Sequence, residues 1–371
     1  MHADVVIIGA GLQGSAVALR LAQAGLDVVV LEKSIPGAEA SSAAGGILSP
    51  GVEAVEPGPF YTLCRESLLR YPGFARDVEQ LSGCWVAYRQ LGTLEVAFDD
   101  RIAQVLAGRA ERLASQGIPA EVIDGDQARA LEPALAPGCR GALLFRDEGS
   151  LDPRLLARAL PIAAQRAGAR YVRGQVHRIL EANGRAAGVE HETGKLEAGA
   201  VVLAAGAWSA LVPGSGLPEG AVRPVRGQIA VLETIPPLLS RVVFSERGYV
   251  VPRPDGRVLC GSTMEDVGFE RGVTAAGIAH VLELAVEIAP ALAKARVADL
   301  WSNFRPASPD GSPVLGAAAL PGLFYATGHT RNGVLLAPIT ADAIAAAVLG
   351  RPPPLDLAPF SVSRLSPRPR S

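Results

Sequence analysis

Residues 4–32 read DVVIIGAGLQGSAVALRLAQAGLDVVVLE, and the order of patterns within them indicates the fold class. The apolar run 4–8 is typical of a strand that is buried on both faces, as in a parallel sheet. The next residues have helical apolar spacing and end at Gly25, a residue suited to a helix C-terminus. A second apolar run, 27–31, ends at Glu32. This order predicts a strand, helix, strand unit with a right-handed crossover, which opens a doubly wound α/β sheet.

Three glycines, Gly9, Gly11 and Gly14, form a G-x-G-x-x-G motif between the first strand and the helix. They permit a tight turn, close approach of the backbone to a pyrophosphate, and packing of helix on strand, while the helix N-terminus attracts negative charge. Glu32 lies 18 residues beyond Gly14, where a carboxylate can accept hydrogen bonds from ribose hydroxyls and repels a 2′-phosphate. The motif predicts a dinucleotide site and leaves NAD and FAD both open.

Composition restricts the classes of protein that the chain can belong to. A length of 371 residues allows two domains, and a net charge of −2 provides no basic field for nucleic acid or anionic lipid. No apolar run reaches the roughly 18–20 residues of a membrane span, and no charged leader precedes the first strand. The four cysteines lack C-x-x-C pairing and histidines at ligand spacing, which argues against a metal site and favours free thiols. We expect a cytoplasmic protein that acts on small molecules.

The rest of the chain alternates between helical and strand-like patterns. Helices are predicted at 60–81, 101–116, 152–168, 274–288 and 332–349, and strands within 85–98 and 223–264 and at 141–145, 169–172, 176–180, 196–204, 297–303 and 323–327. A loose tail is expected after about 361. Parallel strand and helix units at both ends, with antiparallel strands between them, predict two interleaved domains.

Three further segments bear on the cofactor. The small-residue run 41–46 leaves room for a flat ring system, or forms a flexible loop. The strand end at 201–209 passes beside an adenosine, or is ordinary packing of a strand on a helix. The segment 327–336 leads into a helix whose N-terminus would stabilise negative charge on a reduced flavin.

The glycine motif and the segments 42–48, 204–209, 249–253, 261–264, 305–306, 310–311 and 328–333 resemble the glycine oxidases of thiamine biosynthesis, within the D-amino acid oxidase family of FAD enzymes. The likeness covers nearly the whole chain. It implies a Rossmann-like FAD-binding domain interleaved with an α+β substrate domain built on a large antiparallel sheet. The resemblance assigns 1–84, 149–219 and 310–371 to the first domain, and 85–148 and 220–309 to the second.

The resemblance also implies which residues contact FAD. The flavin should be non-covalent, because no cysteine lies near Arg305, where family members with covalent flavin carry one. The implied contacts are Gly9, Gly11, Leu12, Gln13, Gly14, Glu32, Lys33, Ser41, Ser42, Gly45, Gly46, Ile47, Val176, Ala205, Gly206, Trp208, His329, Thr330, Arg331, Asn332, Gly333, Val334 and Leu335. We expect His329 to pack or hydrogen-bond rather than to act as an acid or base.

The implied catalytic residues are Arg305, which clamps the substrate carboxylate, Tyr249, whose hydroxyl joins it, and Arg331 at the flavin edge. A planar guanidinium can hold a carboxylate through two parallel hydrogen bonds. The other implied substrate-binding residues are Met264, Arg247 and Ile47. Arg247 stands where a relative has a histidine, and Ile47 replaces a methionine.

The implied reaction is oxidative deamination of glycine, and also of sarcosine and small D-amino acids, by hydride transfer to FAD. It gives an imine, then glyoxylate, ammonia and hydrogen peroxide, and the imine would serve thiazole formation. Such a reaction needs no protein nucleophile and no metal. Relatives suggest a homotetramer. The alternatives are a D-amino acid or sarcosine dehydrogenase that passes electrons to a quinone or another acceptor, an NAD-dependent dehydrogenase, and a non-catalytic flavin protein.

Overall fold

Two large β-sheets form the framework of the protein, whose structure, a computed structural model, describes residues 2–54 and 56–365. The strands are β1 (His2–Ile8), β2 (Val28–Glu32), β3 (Ile47–Leu48), β4 (Thr93–Ala97), β5 (Glu121–Asp124), β6 (Gly141–Phe145), β7 (Gly149–Ser150), β8 (Arg170–Arg173), β9 (Val176–Ala182), β10 (Arg185–His191), β11 (Gly194–Leu203), β12 (Arg223–Glu233), β13 (Val242–Ser245), β14 (Gly248–Pro252), β15 (Arg257–Gly261), β16 (Arg296–Ala307), β17 (Val314–Ala317) and β18 (Leu323–Thr327). The helices are α1 (Leu12–Gln23), α2 (Ala40–Ala43), α3 (Pro50–Glu53), α4 (Pro59–Ser82), α5 (Asp100–Ala114), α6 (Gly125–Leu131), α7 (Pro153–Arg166), α8 (Ala275–Ile288) and α9 (Ala337–Val348).

The first sheet is the predicted doubly wound sheet. Its strand order is β17-β18-β11-β1-β2-β8, and a hairpin of β9 and β10 joins at β11. Strands β18, β11, β1, β2 and β8 run parallel, so Val6 in β1 is flanked by Val201 in β11 and Val29 in β2. The carboxyl ends of β1, β2, β11 and β18 therefore meet at one edge, where open α/β sheets bind ligands.

Helix α1 anchors this sheet to its helical layer. It packs against α7 and α9, and α4 packs against the same two helices. Leu19 and Leu21 of α1 are completely buried, and burial of each such side chain stabilises the fold by about 1.5–3 kcal/mol. Gly25, with φ +87°, follows the helix as the sequence predicts.

The second sheet is mostly antiparallel and has the order β16-β12-β15-β14-β13-β4-β6-β5. Its one parallel contact among the described strands joins β13 to β4. Strands β12 and β16 pair along almost their whole length, and this pairing places Arg305 opposite Val225. Helix α8 packs on β12, β14 and β15. The sheet order confirms an α/β fold with a large antiparallel sheet.

The two sheets alternate along the chain. Strands β1–β3, β7–β11, β17 and β18 lie within the segments predicted for the first domain, and the remaining strands lie within the other two segments. The exact domain boundaries stay a prediction.

Two predicted elements differ in the structure. Only Thr93–Ala97 of 85–98 forms a strand, because positive φ angles at Ala87 and Gly92 interrupt the extended backbone before it. The last helix begins at Ala337 rather than at 332, with Pro338 in its first turn, where a missing N–H group costs little. Helix α6, which was not predicted, begins with a capping box between Asp124 and Gln127.

The tail expected after 361 is held in place as far as the structure describes it. Residues Val362–Leu365 form a 3₁₀ turn, and Arg364 Nε lies 2.8 Å from Asp310 Oδ2. The prediction of a loose tail is therefore wrong for 362–365, and the rest of it lies outside the described residues. None of the helices in the described ranges is long and apolar enough to span a membrane.

Candidate active site

One long cavity begins at the carboxyl ends of β1, β2, β11 and β18 and extends to strands β12, β14 and β16 of the second sheet. It collects most of the residues singled out in the sequence. Those that line it are Gly9, Gly11, Leu12, Gln13, Glu32, Lys33, Ser41, Gly45, Gly46, Ile47, Val176, Ala205, Gly206, Trp208, Tyr249, Arg305, His329, Thr330, Arg331, Asn332, Gly333 and Val334. The fold thus joins the nucleotide motif and the candidate substrate residues in a single site.

Three candidate cofactor residues do not line the cavity. Gly14 packs behind the turn, since a Cβ atom there would lie 1.9 Å from the Gly9 carbonyl oxygen. The Ser42 hydroxyl turns back to donate to the Glu39 carbonyl at 3.3 Å. Leu335 is buried, and its carbonyl accepts a hydrogen bond from Ser67 in α4.

Two candidate substrate residues are also absent from the cavity lining. Arg247 lies in the turn between β13 and β14, where its guanidinium reaches Glu287 of α8 at 2.7 Å. Met264 has a relative exposure of 52%, because the adjacent Glu265 pairs its backbone with Arg226 and leaves Met264 at the surface. The expected placement of both side chains in the pocket is therefore wrong in this structure.

The glycine turn has the geometry that the motif predicts. Gly9 adopts φ +101°, and a Cβ atom there would lie 2.6 Å from the Ala204 carbonyl oxygen. Glu32 ties the turn to β2: its carboxylate accepts from the Ala10 N–H at 2.9 Å and from the Ser34 N–H at 3.0 Å. A carboxylate has about four acceptor positions, so Glu32 can hold the turn and still accept ribose hydroxyls.

Two buried polar atoms that lack a hydrogen-bond partner show that the cavity suits a polar ligand. Gln13 donates through Nε2 to the Gly333 carbonyl, and its buried Oε1 has no hydrogen-bond partner. The buried Oε2 of Glu39 also lacks one, although Oε1 pairs with Arg271. Buried polar atoms normally have partners, and these two residues line the cavity, so a polar ligand suits them.

The far end of the cavity holds the candidate carboxylate clamp. Arg305 donates from Nη1 to the Thr263 carbonyl at 3.1 Å and from Nη2 to the Ser262 hydroxyl at 2.6 Å. Burial lowers the pKa of this guanidinium, and the neighbouring Tyr249 hydroxyl partly offsets that shift. The Arg305 side chain passes over Gly227 of β12, where a Cβ atom would lie 2.1 Å from Nη1 of Arg305. These contacts hold the side chain in place.

Arg331 makes a different contact. Its Nη2 atom lies 2.8 Å from Oε1 of Glu53, the last residue of α3, and Glu53 raises the pKa of Arg331. Glu53 lines the same cavity. Glu53 was not predicted from the sequence, because α3 is a short helix with no periodic signal.

Gly227 and Arg253 were not predicted either. A glycine inside a strand can mark a close approach of another group, and Gly227 provides that space for Arg305. Arg253 is buried, which lowers the pKa of its guanidinium to about 10, and its Nη2 donates to the Gly45 carbonyl at 2.6 Å. It supports the small-residue loop from behind.

The 329–335 segment is held by α4 and α9. Tyr71 in α4 donates to the Val334 carbonyl at 2.5 Å, and His329 Nε2 lies 3.0 Å from the Thr340 hydroxyl in α9. Burial lowers the pKa of His329 to about 3, so the ring is neutral near pH 7. Because α9 begins at Ala337, no helix N-terminus is formed at Asn332, and the predicted helix-dipole contribution at that point is wrong.

His329 should make stability sensitive to acid. Its pKa is 6.5 unfolded and about 3 folded, so the unfolded chain takes up a proton that the folded protein does not. The stabilisation is complete above pH 6.5 and is lost as the pH falls towards 3. When the pH is lowered from about 7 to about 4, we expect the melting temperature of His329→Gln to fall less than that of wild type. Melting curves that shift equally in both proteins would contradict this.

Glu148 should have the opposite effect. Burial raises its pKa to about 8, while its Oε1 accepts the Gly51 N–H at 2.5 Å. The folded protein keeps the proton that the unfolded chain releases above 4.5, so this stabilisation is lost as the pH rises through 8. The melting temperature of Glu148→Gln, measured relative to that of wild type, should therefore increase as the pH rises from about 5 to about 9. The exposed control Glu111→Gln should show no such trend; a pH-independent difference for Glu148→Gln would refute the prediction.

Within 2–54 and 56–365, no group of three or more His, Cys, Asp or Glu side chains could hold a metal ion. The four cysteines, Cys64, Cys84, Cys139 and Cys260, are free, and the cavity lining does not include them.

Comparison with known proteins identifies the family. A family model described as DAO, FAD dependent oxidoreductase, matches residues 4–347. The bifunctional protein ThiO/ThiG of Trichormus variabilis is 36% identical over 351 residues, which are 93% of this chain and 52% of that protein. The chain thus spans about half the length of the ThiO/ThiG relatives that it matches.

Two other relatives match over nearly their whole length. Glycine oxidase of Geobacillus kaustophilus is 32% identical over 366 residues, 97% of each chain. Its crystal structure aligns with a TM-score of 0.92, covering 98% of this chain and 99% of that chain. The crystal structure of iminodiacetate oxidase from Chelativorans sp. BNC1 is 28% identical, with a TM-score of 0.87, covering 96% of this chain and 98% of the other. The resemblance seen in the sequence is confirmed: this chain belongs to the DAO family of FAD-dependent oxidoreductases.

Proposed function

We propose that this protein is an amino acid oxidase that deaminates glycine, and also sarcosine and small D-amino acids. The observation that carries the proposal is the fixed Arg305 guanidinium with Tyr249 beside it, at one end of a cavity whose other end suits a dinucleotide. When bound, FAD accepts two electrons from the substrate, and dioxygen takes them up as hydrogen peroxide.

Each protein group has a simple part in this reaction. Arg305 takes the substrate carboxylate through charge-assisted hydrogen bonds and so orients the Cα–H group. The Tyr249 hydroxyl adds a donor to the same carboxylate. Tyr249 itself is closely packed, because Gly45 and Gly261 lie against its ring, and a Cβ atom at Gly261 would lie 2.9 Å from the Tyr249 hydroxyl oxygen. With glycine, transfer of a hydride from Cα to FAD and loss of one amine proton would leave an imine, which water converts to glyoxylate and ammonia.

The names of the relatives support the substrate class. Glycine oxidase of Geobacillus kaustophilus matches nearly the whole chain. We also propose, from the family resemblance, that the imine feeds thiazole formation in thiamine biosynthesis. We further propose non-covalent FAD, which the absence of the four described cysteines from the cavity supports. A reducing, cytoplasmic location agrees with the free thiols. The homotetramer stays a prediction from the family resemblance, and light scattering can measure it.

A substrate panel tests the function. The FAD-loaded protein is mixed with glycine, sarcosine, D-alanine and D-proline, and hydrogen peroxide is measured. We expect peroxide with glycine and sarcosine at least. No peroxide from any of the four would refute the proposal. Dye reduction without oxygen consumption would instead support the alternative, a dehydrogenase of the same family that passes electrons to a quinone or another acceptor.

A further inference from the structure

The substrate end of the cavity carries two arginines and one acid. Arg305, Arg331 and Glu53 all line it. Arg331 pairs with Glu53 at 2.8 Å, whereas Arg305 donates to two uncharged groups, a carbonyl and a hydroxyl. The protein therefore balances the charge of one arginine and leaves the other for a ligand.

The two guanidinium groups act on each other. Burial is the largest cause of the lowered pKa of Arg305. The positive charge of Arg331 lowers this pKa further, and the negative charge of Glu53 raises it. With Glu53 in place, this end of the cavity carries one net positive charge. One substrate carboxylate neutralises it.

Glu53 is not free to move away. Its N–H group donates to the Ser49 carbonyl at 3.0 Å. The neighbouring Gly51 is held on both sides, with its N–H on Glu148 and its carbonyl on Arg109. A Cβ atom at Gly51 would lie 2.4 Å from the Phe145 ring. These contacts fix α3, and with it the Glu53 carboxylate, whose side chain is only 9% exposed.

We propose that Glu53 restricts the cavity to monocarboxylates, because its carboxylate occupies on Arg331 the place that a second substrate carboxylate would take. The inference rests on the proposed function, since it takes Arg305 as the carboxylate clamp. A ligand with a carboxylate at each end must displace Glu53 or leave its second charge beside that of Glu53. Neutralising Glu53 frees Arg331 for the second carboxylate.

Two ethers that lack an amine test this without turnover. Methoxyacetate has one carboxylate, and diglycolate is the same ether with two. Calorimetric titration of the FAD-loaded wild type should give tighter binding of methoxyacetate. In Glu53→Gln we expect diglycolate affinity to rise roughly tenfold or more, the order of one charge-assisted hydrogen bond, and methoxyacetate affinity to change less than about threefold.

The control variants distinguish the effect of the negative charge that pairs with Arg331 from the effect of any negative charge in the same segment. Glu56→Gln removes an exposed acid three residues away and should leave both affinities unchanged. Glu53→Asp keeps the charge and should still discriminate against diglycolate. It also provides a test if Glu53→Gln fails to fold. The double variant Glu53→Gln with Arg331→Gln should lose the gain in diglycolate binding.

Three results would overturn the inference. These are equal binding of both ethers by wild type, an equal gain for both in Glu53→Gln, and acceptance of diglycolate by Glu53→Asp. Failure of wild type to bind methoxyacetate at all would count against the proposed function itself. Glycine oxidation by a wild type that does not discriminate would leave that function standing and remove only this inference.

Discussion

Replacing Arg305 with lysine should raise the KM for glycine by roughly 10- to 100-fold, because a charge-assisted hydrogen bond contributes about 1.5–3 kcal/mol. Lysine keeps the charge but presents a single ammonium in place of a planar fork. It also loses the contacts that hold Arg305 to Ser262 and Thr263. Bound FAD should remain, since these contacts lie at the substrate end of the cavity. Steady-state kinetics and the flavin absorbance per mole of protein measure both effects.

A matched control shows whether the loss is specific to the site. Arg170 also pairs its guanidinium with a carboxylate, because its Nη2 lies 2.7 Å from each carboxylate oxygen of Asp27. Arg170 lies on the surface, away from the cavity. Arg170→Lys should leave the KM unchanged. If Arg305→Lys retained the wild-type KM, Arg305 would not be the carboxylate clamp.

Replacing Gly14 with alanine should weaken FAD binding by about tenfold or more, since overpacking costs about 1–3 kcal/mol and here falls on the binding turn. The new Cβ would lie 1.9 Å from the Gly9 carbonyl oxygen, so the turn must open or α1 must move. Either movement also disturbs the hydrogen bond from the Leu12 N–H to the Ser41 hydroxyl. Titration of the apoprotein with FAD measures the affinity.

The control for this change is a glycine inside another helix. Gly108 in α5 has open space around it, since a Cβ atom there would lie 3.9 Å from its nearest neighbour, Nη1 of Arg112. Gly108→Ala should leave FAD affinity unchanged and slightly stabilise the protein, because alanine favours helix over glycine by about 1 kcal/mol. Wild-type FAD affinity in Gly14→Ala would refute the role given to the third glycine.

The strand, glycine turn and helix at the nucleotide end could be predicted from the sequence, because they depend on local geometry. Strand, glycine turn, helix and Glu32 follow one another within 32 residues, and each has its own composition signal. The parallel direction of β1 and β2 then follows from the helical crossover that joins them. The placement of Arg305 depended on the family resemblance, since a single arginine before a proline has no distinctive pattern.

The substrate end was harder to predict because its residues come from distant segments. Arg247 was expected in the pocket, but the acids Glu283 and Glu287 of α8 attract it outwards. Glu53 was overlooked because its partner, Arg331, lies 278 residues further along the chain. Only the three-dimensional fold shows that these two charges meet.

Anaerobic mixing of the FAD-loaded protein with glycine shows whether electrons from the amino acid reach the flavin. We expect glycine to bleach the flavin absorbance, and Arg305→Lys to need a much higher glycine concentration for the same effect. Admitted oxygen should then restore the colour with release of hydrogen peroxide. A flavin that stays oxidised at saturating glycine, and likewise with sarcosine and D-alanine, would contradict the proposed amino acid oxidase activity.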